Sequence, residues 1–91
     1  MKTTYMNKRY DTEKMVVVGE KSHYNNGNYS GTTRIGIATD GQAFSWTNAN
    51  GQDCYLTNNV YAIEGKVDLD GYNMSEEQET AAIKAGLIEI V

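Results

Sequence analysis

The stretch Thr32-Thr33-Arg34-Ile35-Gly36-Ile37-Ala38-Thr39-Asp40-Gly41-Gln42-Ala43-Phe44-Ser45-Trp46-Thr47-Asn48-Ala49 decides how this chain is read. At its centre stands Asp40-Gly41, a dipeptide that favours tight hairpin turns because both residues tolerate positive φ. Apolar and polar residues alternate on either side of it, the period of a strand. A two-residue loop at Asp40-Gly41 would set Ile37 opposite Phe44 and Ile35 opposite Trp46. All four large apolar side chains would then share one face, with Arg34, Gly36, Ala38, Ser45 and Thr47 on the other. A second such dipeptide, Asn50-Gly51, predicts a further strand over Gln52–Thr57 that places Tyr55 beside Trp46.

Working outward, Met15-Val16-Val17-Val18 is a run of β-formers ended by Gly19 and predicts a strand buried on both faces or paired centrally. Thr3 to Tyr10 reads as another strand, with Asp11-Thr12-Glu13 turning between the two. Ser22 to Gly31 is rich in turn formers and poor in aliphatics, which predicts a surface loop. Near the other end, Ser75 followed three residues later by Gln78 has the spacing of a capping box. Glu76, Glu77 and Glu79 suit the positive end of a helix dipole, and Gly86 suits the position just past the helix end. Leu87-Ile88-Glu89-Ile90-Val91 then reads as a short final strand. The expected architecture is one α+β domain over residues 1–91. It is a mostly antiparallel sheet of about five strands, with one C-terminal helix followed by a short strand. A core of this size is marginal alone, which makes a homodimer an open alternative.

Composition removes several functions. The 91 residues hold 8 Lys+Arg and 12 Asp+Glu, a net charge of −4. Residues 1–49 carry six bases against four acids, and residues 50–91 two bases against eight acids. The second part is therefore strongly acidic. Nucleic-acid binders show the opposite excess, so direct nucleic-acid binding is not expected. The longest apolar run, Met15 to Val18, is far short of the roughly 18 residues of a membrane span. With no secretory-type apolar opening, the expected setting is the cytoplasm. The lone Cys54 allows neither an internal disulfide nor a cysteine-rich zinc site.

Chemistry-bearing constellations are few. Cys54 and His23 are the only members of a nucleophile–base pair, and nothing in their spacing brings them together. Asp68-Leu69-Asp70-Gly71 begins like a calcium loop, but Tyr72 and Asn73 stand where the loop needs an acid and a glycine. A solvated turn before the helix is the better reading. No phosphate-cradling motif occurs, and no cofactor is expected. The seven tyrosines, with Phe44 and Trp46, exceed what one small core can bury. Tyr24 and Tyr29, set among Asn25, Asn26, Asn28 and Ser30, have the composition of a binding loop.

The segment Asn7-Lys8-Arg9-Tyr10-Asp11-Thr12-Glu13-Lys14 resembles the opening of a family of small prokaryotic and phage proteins that begin Lys-x-Tyr-Asp-Thr-Glu. In that family a hairpin and a Ser/Thr-x-Glu-Glu helix start follow; here these correspond to Thr32–Trp46 and Ser75-Glu76-Glu77. The chain departs from the family at Thr47-Asn48-Ala49-Asn50-Gly51, where a glycine-rich segment with an aromatic would stand. The resemblance assigns no functional residue. It implies a phage-borne or mobile-element accessory protein, a setting in which inhibitors of host defence, including anti-CRISPR proteins, are common.

These readings converge on a non-enzymatic interaction protein that binds and blocks a host protein, one with a basic, nucleic-acid-binding surface. Two contact regions are expected: an acidic surface of Asp68, Asp70, Glu76, Glu77 and Glu79, and a loop of Tyr24, Asn26 and Tyr29. The alternatives are a homo-oligomeric accessory protein using an exposed sheet edge, and a small ligand-binding domain using Cys54 or His23.

Overall fold

The structure, a computed structural model, describes residues 1–49 and 59–91. In chain order it forms β1 (Lys2–Tyr5), β2 (Lys8–Asp11), a 3-10 turn (Thr12–Lys14), β3 (Val16–Asn25), β4 (Asn28–Ile37), β5 (Ala43–Ala49), β6 (Val60–Ile63) and α1 (Glu76–Lys84). Strands β3-β4-β5-β6 make one antiparallel sheet in that order, and β1-β2 make a separate hairpin. The α+β class is as expected. The Asn50-Gly51 turn and the strand expected over Gln52–Thr57, with Cys54 and Tyr55, lie outside the described residues.

The hairpin at Asp40-Gly41 forms, but its loop has three residues rather than two. The Gly41 N–H donates to the Ala38 carbonyl and the Ala38 N–H to the Gln42 carbonyl, both at 2.9 Å. Gly41 adopts φ +91°, which closes the turn with a left-handed residue. One extra loop residue slips the register by one. Ile37 pairs with Ala43, Gly36 with Phe44, Ile35 with Ser45 and Arg34 with Trp46. Ile35 and Ile37 therefore face one side of the sheet, and Phe44 and Trp46 face the other. The expected single apolar face is corrected to two.

On the first face, Val18, Ile35 and Ala43 are buried with Ala82 and Leu87 from the helix and the residues after it. The local sequence specifies this helix closely. The Ser75 hydroxyl accepts from the Gln78 N–H, the Gln78 side chain accepts from the Ser75 N–H, and the Gln78 amide also donates to the Val17 carbonyl at 3.0 Å. At the other end Gly86 has φ +81°, its N–H donates to Ile83, and the Leu87 N–H donates to Ala82. This double bond pattern turns Leu87 back onto Ala82, the usual apolar contact of such a stop. Burying Leu87 contributes about 1.5–3 kcal/mol. The short final strand expected over Leu87–Val91 does not form. Leu87 serves the helix stop and accepts from the Val67 N–H, and Ile90 is exposed.

On the second face, Tyr10, Met15, Phe44 and Trp46 form a separate core, with Tyr5, Val17, Ala38, Val60 and Ala62 against it. It is roofed by the β1-β2 hairpin. Thr3–Tyr10 is thus two short strands, joined by Met6 and Asn7 at φ +52° and +61°. The Tyr10 and Phe44 rings lie 4.6 Å apart, and Tyr5 meets Phe44 edge-on at 6.0 Å. Gly36 leaves the space that the Trp46 ring fills. The 3-10 turn stands where Asp11-Thr12-Glu13 was expected to turn.

Strand β3 is an edge strand, which corrects central pairing at Met15–Val18. Burial on both faces does hold, since Val17 packs into the second core and Val18 into the first. Strand alternation puts these neighbours on opposite faces, and a bulge between Val17 and Gly19 leaves Val18 as the extra residue. Ser22–Gly31 is a hairpin rather than a loop. It turns at Asn26-Gly27, with φ +52° and +82°, and pairs Asn25 with Asn28 and Tyr24 with Tyr29. Among the described residues, no helix is long and apolar enough to cross a membrane.

The Gly36 space is testable. A Cβ there would lie 2.6 and 2.8 Å from two Trp46 ring carbons and 3.2 Å from the Met15 Cβ. Gly36→Ala is expected to destabilise the protein by about 1–3 kcal/mol, read as a lower urea midpoint with unchanged slope.

Candidate functional site

Between β6 and α1 the chain crosses the helix-bearing side without regular structure, and three sets of backbone bonds hold it. Asn73 exchanges N–H and carbonyl with Glu20 of the β3 edge at 2.8 and 3.2 Å, the Val67 N–H bonds Leu87 at 3.0 Å, and the Tyr72 N–H bonds Leu69 at 3.0 Å. Gly71 takes φ +82° in this last turn, and the Asp68 carboxylate accepts the Asp70 N–H at 2.9 Å. This is the solvated turn expected in place of a calcium loop. Among the described residues no group of three His, Cys, Asp or Glu is placed to hold a metal.

The segment and the residues after α1 enclose an open groove of about 550 Å³. Its apolar surface comes from Val67, Leu69, Tyr72, Met74, Leu87 and Ile88, and its rim carries Asp68, Asp70, Glu79 and Glu89. Lys66 also lies on the rim and pairs with Glu89 at 2.9 Å. Asp68, Asp70 and Glu79 make no ion pair among the described residues. The Lys21 ammonium sits 5.8 Å from the centre of the Tyr72 ring. Burial, and then the negative charge of Asp68, push the Tyr72 phenol above its ordinary pKa.

Of the acidic residues singled out from sequence, Asp68, Asp70 and Glu79 meet in this groove. Glu76 and Glu77 are exposed in the first turn of α1 and do not line it. Glu89 and the apolar floor were not among the candidates. The floor had no local signal, because its six residues are drawn from two segments separated by the helix.

Tyr24 and Tyr29 stand at the tip of the β3-β4 hairpin, 64% and 47% exposed, with rings edge-to-face at 6.1 Å. Asn26 beside them supplies a positive-φ turn residue, a structural task in itself. The Tyr29 hydroxyl bonds Thr32. His23 lies on β3, its Nε2 2.6 Å from the Thr33 hydroxyl, which is in turn 2.7 Å from that of Thr47. This is a cross-strand ladder, and Cys54 lies outside the described residues.

Hydroxyl–carboxylate contacts fasten the β1-β2 roof. The Tyr10 hydroxyl donates to Asp40 at 2.7 Å, Lys8 approaches the same oxygen at 3.5 Å, and the Tyr5 hydroxyl donates to Glu64. The Tyr10 bond, the Gln42 N–H and Lys8 together hold the Asp40 carboxyl below its usual pKa. The same bonds raise Tyr10 and Tyr5, each through its carboxylate partner first. In comparisons with known proteins, no family model, no curated protein and no solved structure matches the chain.

A depressed carboxyl pKa gives stability that is present above the unfolded value of 3.8 and lost as pH falls through the lower folded value. Tyr10→Phe removes the largest cause. The variant is expected to be less stable than wild type at neutral pH, with the gap narrowing toward pH ~2, as read by urea unfolding at both pH values.

Proposed function

We propose that this chain is a non-enzymatic interaction protein whose acidic groove engages a basic surface of another protein and blocks it. The observation that carries this is the pairing of an apolar floor with the carboxylates of Asp68, Asp70 and Glu79, which make no ion pair among the described residues. Exposed Glu76 and Glu77 extend the negative field toward the helix start. Such a field speeds encounter with a cationic partner and repels anionic ones. The partner that fits is a protein whose basic surface otherwise holds nucleic acid, in a cytoplasmic setting. The narrower reading, a phage-borne inhibitor of a host defence protein of the anti-CRISPR kind, rests on the Lys8–Glu13 resemblance alone.

A second contact is favoured by the exposed, edge-to-face Tyr24 and Tyr29 at the hairpin tip, rings of the type that anchor interfaces. The two readings separate by salt. If the acidic surface binds, the Glu76→Lys, Glu77→Lys double variant slows association by about tenfold or more, and raised salt weakens wild-type binding. A tagged pull-down from host lysate at low and high salt, with mass spectrometry, identifies the partner for these measurements. Capture that is indifferent to salt and charge reversal, but lost in Tyr24→Ala, Tyr29→Ala, would move the contact to the hairpin tip.

A further inference from the structure

We propose that the groove recognises a short basic–apolar–basic stretch of its partner: one apolar side chain seated on the floor, flanked by cationic side chains held by the Tyr72 ring and by Asp68, Asp70 and Glu79. The inference rests on the reading above and names the feature that would be recognised.

Three observations carry it. The first is the floor. Leu69, Met74 and Ile88 pack on the first core but stay only half-buried, so their remaining surface is open to an apolar group in the groove. A space of about 550 Å³ has the capacity of a ligand pocket and takes an aliphatic side chain with room to spare.

The second is Lys21. It makes no ion pair among the described residues, and its ammonium rests over the Tyr72 face instead. The Lys21 Cε and Nζ also lie against the Gly71 turn, within van der Waals reach of where a Cβ would stand. Lys21 does not line the groove, but the contact shows that this ring accepts a cation.

The third is the distribution of compensation around the rim. Lys66 neutralises Glu89 at one end. Asp68, Asp70 and Glu79 make no ion pair among the described residues, and Asp68 is near enough to Tyr72 to act on its phenol. The negative charge is thus concentrated beside the aromatic face. Nucleic acid and anionic lipid present phosphates and are repelled by this rim, which leaves a peptide segment as the occupant.

The test uses two labelled eight-residue peptides, one alternating arginine with leucine and one alternating arginine with serine, followed by fluorescence anisotropy with the full chain. The leucine peptide is expected to bind about tenfold or more tightly than the serine peptide, the effect of one buried aliphatic group. Tyr72→Leu, which keeps apolar volume but loses the ring, should weaken it about threefold, and Tyr72→Phe should restore it. Amide shifts in an NMR titration should centre on residues 66–74. Equal affinity for the two peptides overturns the proposal. So does salt-sensitive binding that ignores Tyr72→Leu and is lost in Glu76→Lys, Glu77→Lys. In either case the acidic surface stands as a binding face without this groove. Failure of both peptides to bind also overturns the proposal, and salt-independent partner capture beside it overturns the acidic reading itself.

Discussion

The three-residue turn that closes on Gly41 is the constraint from which the rest of the fold follows. It carries the pairing of β4 with β5, and that pairing decides which face each apolar side chain occupies. With Ile35 and Ile37 on one side and Phe44 and Trp46 on the other, neither face of the sheet can be left to water. Each needs its own cover, and the chain supplies one from each end. The β1-β2 hairpin roofs Phe44 and Trp46, and α1 with Leu87 roofs Val18 and Ile35. Two thin cores replace the single core that an amphipathic sheet would have had.

That division also builds the groove. To place α1 on the sheet, the chain must travel from β6 at one edge to the helix start beside β3 at the other. The crossing segment meets the β3 edge in one isolated bridge, between Glu20 and Asn73, and otherwise runs outside the sheet. Its apolar residues are left covering part of the first core, and its acids face water. The same acids that terminate a turn at Asp68 thereby become the rim of an apolar depression. Candidate function here is a by-product of a topological requirement: a connection with apolar residues below and charge above.

Local features were legible because their physics is local. The capping box of Ser75 and Gln78 and the stop at Gly86 involve neighbours within a turn or so, and the helix has the bounds that these residues imply. The β3-β4 hairpin was less legible, although Asn26-Gly27 is as clear a turn signal as Asp40-Gly41. Its strands from Lys21 to Tyr29 are mostly exposed on both faces, so no apolar alternation marks them as strands. At Leu87–Val91 the opposite happened. The residues are β-formers, but Leu87 is taken by the helix stop, and residues 88–91 have no strand partner among the described residues.

By itself, the sequence determined the turn at Asp40-Gly41, the helix and its caps, the excess of tyrosine and the concentration of acid in residues 50–91. Each depends on residue type and near neighbours alone. Only the tertiary structure decided the register of β4 on β5, the split into two cores and the meeting of Asp68, Asp70 and Glu79 with Tyr72, Leu87 and Glu89. The reason is one of energy scale. A two-residue and a three-residue turn at Asp40-Gly41 are both open to those residues. Burial of Trp46 against Gly36 on one face and Ile35 on the other distinguishes them, and those contacts exist only once both covers are in place.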